Sequence, residues 1–238
     1  MMQKQISSSV RSTQQGVHPR LAERVRRHME TEWLRAPHRP TIEAFTAITR
    51  ELPNTGQKIV LDSGCGSGES TRLIGTRYPD CLVIGIDKSA ARLDRVSAGS
   101  FPFREGNVVW LRAELASFWQ LAWRAGWQLH RHFLLYPNPW PKPGQLSRRW
   151  HAHPVFPILL KLGGRLEMRC NWEIYAEEFV AAVRIASGFN AGIGPAVNSD
   201  ISTPFERKYR NSGHHIYSVQ LPDLSGAVST RFPEPPAT

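Results

Sequence analysis

Two short stretches hold residue types that could do chemistry together. The first is Asp62-Ser63-Gly64-Cys65-Gly66-Ser67-Gly68-Glu69. Glycine at every second position allows a tight turn and a close backbone approach to a ligand. The dinucleotide fingerprint G-x-G-x-x-G would need glycine where Glu69 stands. A carboxylate there also opposes a pyrophosphate seated on helix N–H groups. The P-loop pattern is absent, since no Gly-Lys-Ser/Thr follows. Asp87 comes about one β-α-β step after Gly64. At a strand end it can accept hydrogen bonds from both ribose hydroxyls of an adenosine. Asp62, Gly64, Gly66, Gly68 and Asp87 therefore point to a nucleoside cofactor with no phosphate at the turn. Glu114 could contact its adenine; a helix-start carboxylate favoured by the helix dipole explains Glu114 equally well.

The second stretch is Tyr136-Pro137-Asn138-Pro139-Trp140-Pro141-Lys142. Three prolines in five positions stiffen it and remove N–H donors. It presents Asn138 and Lys142 as polar groups on a rigid loop. Trp140 either packs against the loop or stacks on a base.

Both stretches need strand ends to hold them. Apolar runs at 58–64, 81–87, 107–114, 132–139, 164–171 and 216–221 read as strands. Helical patterns lie between them, with 173–187 an amphipathic helix. The alternation predicts an α/β fold: a doubly wound, mainly parallel sheet with helices on both faces. Such sheets bind ligands at the carboxyl ends of their strands. Ahead of it, Leu21, Val25 and Met29 recur every four residues among Arg24, Arg26 and Arg27, which predicts a helix with a basic face. That face either covers the main domain or reaches RNA. Thr41 is expected to cap a second helix. The expected division is an N-terminal extension over 1–50 with a disordered start, one domain over 51–225, and a loose tail over 226–238.

YPNPWPK resembles the F-P-D-P-W-x-K motif of the tRNA (guanine-N7)-methyltransferases, and D-S-G-C-G-S-G resembles the first motif of the class I S-adenosylmethionine-dependent methyltransferases. Cys170-Asn171-Trp172-Glu173-Ile174-Tyr175 is similar to the tRNA family's T-D-W-x-x-Y segment. Thr203-Pro204-Phe205-Glu206-Arg207-Lys208 is similar to its T-x-F-E-x-[RK] segment. Order and spacing are kept over about residues 58–221.

The resemblance implies a Rossmann-like class I fold, S-adenosylmethionine as methyl donor and N7 of a tRNA guanine as acceptor. It implies cofactor contacts at Asp62, Gly64 and Asp87, a reaction-site position at Asn138, and substrate contacts at Lys142, Asn171 and Thr203 to Glu206, Phe205 included. Asn138 and Asn171 stand where that family has Asp. Ala113 stands where it has a carboxylate, with Glu114 displaced by one. After Lys142 only Arg148 and Arg149 remain of a strongly basic run. Two alternatives stay open: a diverged methyltransferase with another RNA or a small-molecule substrate, and a non-catalytic RNA-binding protein on the same fold. Thr203 has a plain alternative as an ST-turn, and Asn138 and Asn171 as loop and helix caps.

Composition agrees with a nucleic-acid partner. The 238 residues carry 30 Lys+Arg against 20 Asp+Glu, a net +10, and such an excess suits a polyanion. Half of it lies in residues 1–50. Three cysteines, Cys65, Cys81 and Cys170, fit no zinc spacing or disulfide framework, so no metal is expected. The polar first residues and the lack of an apolar span of about 18 residues predict a cytoplasmic protein without a membrane partner. A monomer or a homodimer is expected.

Overall fold

The structure, a computed structural model, describes residues 7–51, 56–196, 201 and 203–230. Its strands are β1 (Ile59–Ser63), β2 (Leu82–Asp87), β3 (Phe103–Glu105), β4 (Val108–Arg112), β5 (Arg131–Leu135), β6 (Arg165–Cys170), β7 (Ile193–Pro195) and β8 (Tyr217–Leu221). Its helices are α1 (Leu21–Glu30), α2 (Arg39–Glu51), α3 (Glu69–Arg77), α4 (Ala90–Leu93), α5 (Leu115–Arg124), α6 (Phe156–Lys161), α7 (Glu173–Ser187) and α8 (Pro204–Asn211).

The strands form one sheet in the order β3-β4-β2-β1-β5-β6-β8-β7. The inner pairs are parallel, whereas β8 runs antiparallel to β6 and to β7. Every residue of β2 is buried, as expected for a central strand covered on both faces. Alternate residues serve opposite cores. Leu61, Ile84 and Leu134 join the core under α1, α2, α5, α6 and α7. Val60, Val83 and Phe133 join the core with Ile74 of α3 and Leu93 of α4. From β1 the chain moves outward on one side through β2, β3 and β4, then crosses back through α5 to β5 on the other side of β1, so the strand order reverses between β1 and β5. That switch point opens a crevice at the strand carboxyl ends.

All six expected strands form, a residue or two shorter than expected at one or both ends in most cases. The helix at 173–187 has the expected bounds. Two edge strands, β3 and β7, have no alternation to reveal them, being three residues long. The helix expected after Asp87 is only α4, four residues long.

Two expectations in the N-terminal part need correction. Thr41 does not cap α2, which starts two residues earlier. Its buried hydroxyl accepts the amide of Glu114 at 3.0 Å and so ties α2 to the end of β4. The start of the chain, expected to be disordered, is held from residue 7 onward. Ser7 N donates to Ser212 Oγ (2.9 Å) and Ser12 Oγ to Pro141 O (2.5 Å). The basic helix α1 packs on α7 through Leu21, Val25 and Met29, which leaves Arg26 and Arg27 exposed. Most of the tail expected to be loose, 231–238, lies outside the described residues.

Candidate active site

The glycine turn sits where β1 ends. The amides of Gly64 and Cys65 both donate to Ile86 O (2.8 and 3.0 Å), which holds the turn against β2. Gly64 and Gly66 have φ of 85° and 58°, backbone that favours glycine. A Cβ at either would meet nothing closer than 3.9 Å. Both face open space that a ligand could fill.

Asp87 closes the far side. Its Oδ2 accepts from Gly66 N (3.0 Å) and its Oδ1 from Ser89 N (2.8 Å). Arg92 of α4 lies 3.6 Å from Oδ2. The resulting cradle of bare backbone and one buried carboxylate fits a ribose-bearing, phosphate-free group.

Three of the expected cofactor residues have close partners within the protein. Gly68 is a packing glycine: a Cβ there would come within 2.5 Å of Val96 and Trp110. Asp62 is buried under α3, where Ser70 Oγ (2.7 Å) and Thr71 Oγ1 (2.8 Å) both donate to Oδ2. Burial raises its carboxyl to about 6, against the lowering effect of those two hydroxyls. Glu114 caps α5, accepting Ser117 N at 2.8 Å, so the helix-start reading describes it.

Across the crevice, the proline-rich loop follows β5. Asn138 is exposed and its Oδ1 accepts Trp140 N at 3.3 Å, the loop cap that its residue type allows. Lys142 is exposed at the loop's end. Trp140 is half-buried with the Arg148 guanidinium 4.7 Å over its ring. Arg149 is not a surface cation: it is fully buried and bonds to the loop's own carbonyls.

Helix α8 forms a third wall. Thr203 Oγ1 accepts Glu206 N (2.9 Å) and starts the helix, which suits the ST-type reading. Glu206 is buried, with Arg169 (2.9 Å) on one oxygen and Arg210 (2.9 Å) on the other. It braces α8 against β6 and does not offer a free acceptor to a base. Phe205 is 42% exposed and near Gly66, with Arg92 5.9 Å from its ring. Asn171 does not cap α7; its Nδ2 pairs with His214 Nδ1 at 3.1 Å.

Comparison with known proteins bears on this arrangement directly. The family described as "Putative methyltransferase" matches residues 56–219, more than half of the chain. The chain belongs to this methyltransferase family. It is 25% identical over 172 residues to a tRNA (guanine-N(7)-)-methyltransferase of Leifsonia xyli subsp. xyli, covering 69% of this chain and 75% of that one. A protein of the same name from Saccharophagus degradans is 28% identical over 178 residues, covering 71% and 77%. Among solved structures, the 16S rRNA methyltransferase KamB superposes with a TM-score of 0.53 at 16% identity, covering 75% of this chain and 93% of that one. An antibiotic-related methyltransferase gives 0.52 at 16% identity, covering 82% and 97%. Those two likenesses establish the Rossmann-like methyltransferase fold.

Sequence reasoning missed several residues of this methyltransferase's crevice. The Glu69–Arg207 ion pair (2.6 Å) joins the start of α3 to α8. The partners lie 138 positions apart, and no spacing rule links them. Arg149 and Glu178 form a buried ion pair at 2.6 Å. Arg149 was visible only as one of two surviving basic residues, and Glu178 only as a polar position in an amphipathic helix. Among the described residues no group of three or more His, Cys, Asp or Glu could hold a metal ion. No described helix is long and apolar enough to cross a membrane.

Proposed function

We propose that this chain transfers a methyl group from S-adenosylmethionine to N7 of a guanine in tRNA. The observation that carries the reading is convergence at one switch point. The open turn of Gly64 and Gly66, the strand-end Asp87 and the stiff loop bearing Asn138 and Lys142 all meet at the carboxyl ends of β1, β2 and β5. The names of the curated relatives supply the substrate.

Bound S-adenosylmethionine supplies an electrophilic methyl on a sulfonium. Guanine N7 would attack that methyl with its own lone pair, the N–C bond forming as the S–C bond breaks and the positive charge passing to the base. No proton has to leave first, so no general base is needed. The task for the chain is in-line positioning and exclusion of water. Asp87 would hold the ribose hydroxyls, and Gly64 and Gly66 would admit the methionine portion to the backbone. Asn138 would read the base edge: its amide can donate to guanine O6, where a carboxylate would instead accept from N1–H or N2–H₂. Lys142 and Arg148 would meet phosphates.

Glu206 tied to Arg169 and Arg210, and Asn171 tied to His214, favour one second reading, a methyltransferase with a changed RNA or small-molecule substrate. Labelled S-adenosylmethionine incubated with tRNA lacking N7-methylguanine, followed by nucleoside analysis, decides between them. A labelled 7-methylguanosine peak is expected. Cofactor binding with no transfer to tRNA would overturn the tRNA assignment in favour of the second reading.

A further inference from the structure

The loop that presents Asn138 holds two non-glycine residues in left-handed backbone, Tyr136 (φ 54°) and Trp140 (φ 47°). Such conformations persist only where the surroundings over-determine them. At Trp140 Arg149 does so from beneath. Its Nε and Nη2 donate to Trp140 O at 3.2 and 3.0 Å, and Nη2 also lies 3.5 Å from Lys142 O. Its Nη1 donates to Glu178 Oε2 at 2.6 Å, and its guanidinium lies 4.9 Å from the Trp172 ring.

Arg149 and Glu178 have no solvent-exposed side-chain surface, so every charge must be answered from within. His151 Nε2 donates to Glu178 Oε2 at 2.8 Å. Burial alone would push the Glu178 carboxyl up, but the bonds from His151 and Arg149 outweigh it and hold the group at about 2. Burial likewise holds His151 below its ordinary value, so the pair is one carboxylate and one guanidinium.

The remaining partner comes from far away in the chain. Gln14 Nε2 donates to Glu178 Oε1 at 2.6 Å, and its Oε1 accepts Arg149 Nη2 at 3.1 Å. One amide thus bridges both members of the ion pair. Its neighbours repeat the attachment, with His18 N on Glu178 Oε1 (3.0 Å) and Ser12 Oγ on Pro141 O (2.5 Å). Gln14 lies outside the residues matched by the methyltransferase family, 56–219.

We infer that Gln14 is a positioning residue of the active site, which closes the Arg149–Glu178 pair under the 136–142 loop and so fixes where Asn138 is held. A buried ion pair contributes little net stability compared with an apolar replacement, and its attested use is to specify one arrangement. The arrangement specified here is that of two carbonyls in the loop facing the cofactor crevice. The kinetic consequence rests on the methyl-transfer reading, whereas the ordering of the loop does not.

The test uses the full chain as wild type, Gln14→Ala and Arg149→Lys. Amide hydrogen exchange is followed in peptides covering 136–149 and, as an internal control, in peptides covering β1 and β2. Methyl transfer to tRNA is measured on the same samples. In Gln14→Ala the loop peptides should exchange faster while β1 and β2 do not change. Its kcat should fall about tenfold with an unchanged KM for S-adenosylmethionine, the scale expected when a reacting group is held less well. Arg149→Lys should do the same or more, because a point charge cannot replace a fork that grips two carbonyls and a carboxylate. Unchanged loop exchange in Gln14→Ala overturns the inference whatever the substrate. Faster exchange with unchanged kcat reduces Gln14 to a structural contact and also overturns it. A wild type that methylates no tRNA brings down the tRNA assignment, and loop exchange then decides the role of Gln14 alone.

Discussion

Asp87 carries one carboxylate and two backbone partners, the amides of Gly66 and Ser89. Each oxygen accepts one of those bonds and keeps a lone pair free, which is what two adjacent ribose hydroxyls need. Asp87→Ala should therefore weaken S-adenosylmethionine binding by about 1.5–3 kcal/mol, the scale for hydrogen bonds to a charged group. Calorimetric titration checks this, and an unchanged affinity would remove the ribose role. Asn138 shows the opposite situation. Its side chain caps its own loop through Trp140 N, and its exposed amide N–H₂ is the part left for a base. Asp87 stands out in the sequence because a carboxylate that ends an apolar strand has few roles open to it besides holding a ligand. Residue type alone could not assign Asp62 and Glu114, because a carboxylate beside a helix start can serve the helix just as well as a ligand.

Helix α3 begins over a buried acid. The raised value of Asp62, about 6 against an ordinary 3.8, means that the folded chain binds a proton that the unfolded chain releases earlier. The stability this contributes is fully present below the unfolded value and is lost as pH rises through about 6. The loss is on the order of 3 kcal/mol for a shift of this size. Asp62→Asn keeps an acceptor for Ser70 and Thr71 and removes the titration. It should raise stability at about pH 8 by that amount and by much less at about pH 4. Denaturant unfolding at the two pH values is the measurement; equal gains at both would show that burial of Asp62 is not what limits this element. Helix α8 is held differently, by the Thr203 cap and by Glu206 between Arg169 and Arg210. The Glu69–Arg207 pair is nearly half exposed on both sides and adds little, since pairs of that kind contribute about 0–1 kcal/mol.

Over the whole molecule, the excess of ten positive charges is not spread evenly, and α1 is where its meaning can be tested. Its apolar face is committed to α7 and its Arg26 and Arg27 face solvent. A helix can do both, packing with one face and meeting phosphates with the other. Arg26→Gln with Arg27→Gln should leave folding intact and weaken tRNA binding. The slope of log K against log salt should become shallower by about 1–2, close to one for each phosphate that is no longer neutralised. An unchanged slope would show that α1 serves packing alone.

The central strands, the glycine turn and the proline-rich loop were legible because each rests on local chemistry. An apolar run must be buried, alternating glycines permit left-handed turns, and prolines stiffen the segment that holds them. Those features alone place the glycine turn and the proline-rich loop at one end of a parallel sheet. What they could not reveal is which polar residues face the crevice and which are consumed in holding it together. Gly68 leaves room for Val96 and Trp110, which a Cβ would strike, Glu206 answers two arginines, and Arg149 is drawn inward by Glu178 and Gln14. Each of these depends on a partner distant in sequence. Burial turns such a meeting into an obligation, because a polar group removed from water must find its hydrogen bonds inside the protein.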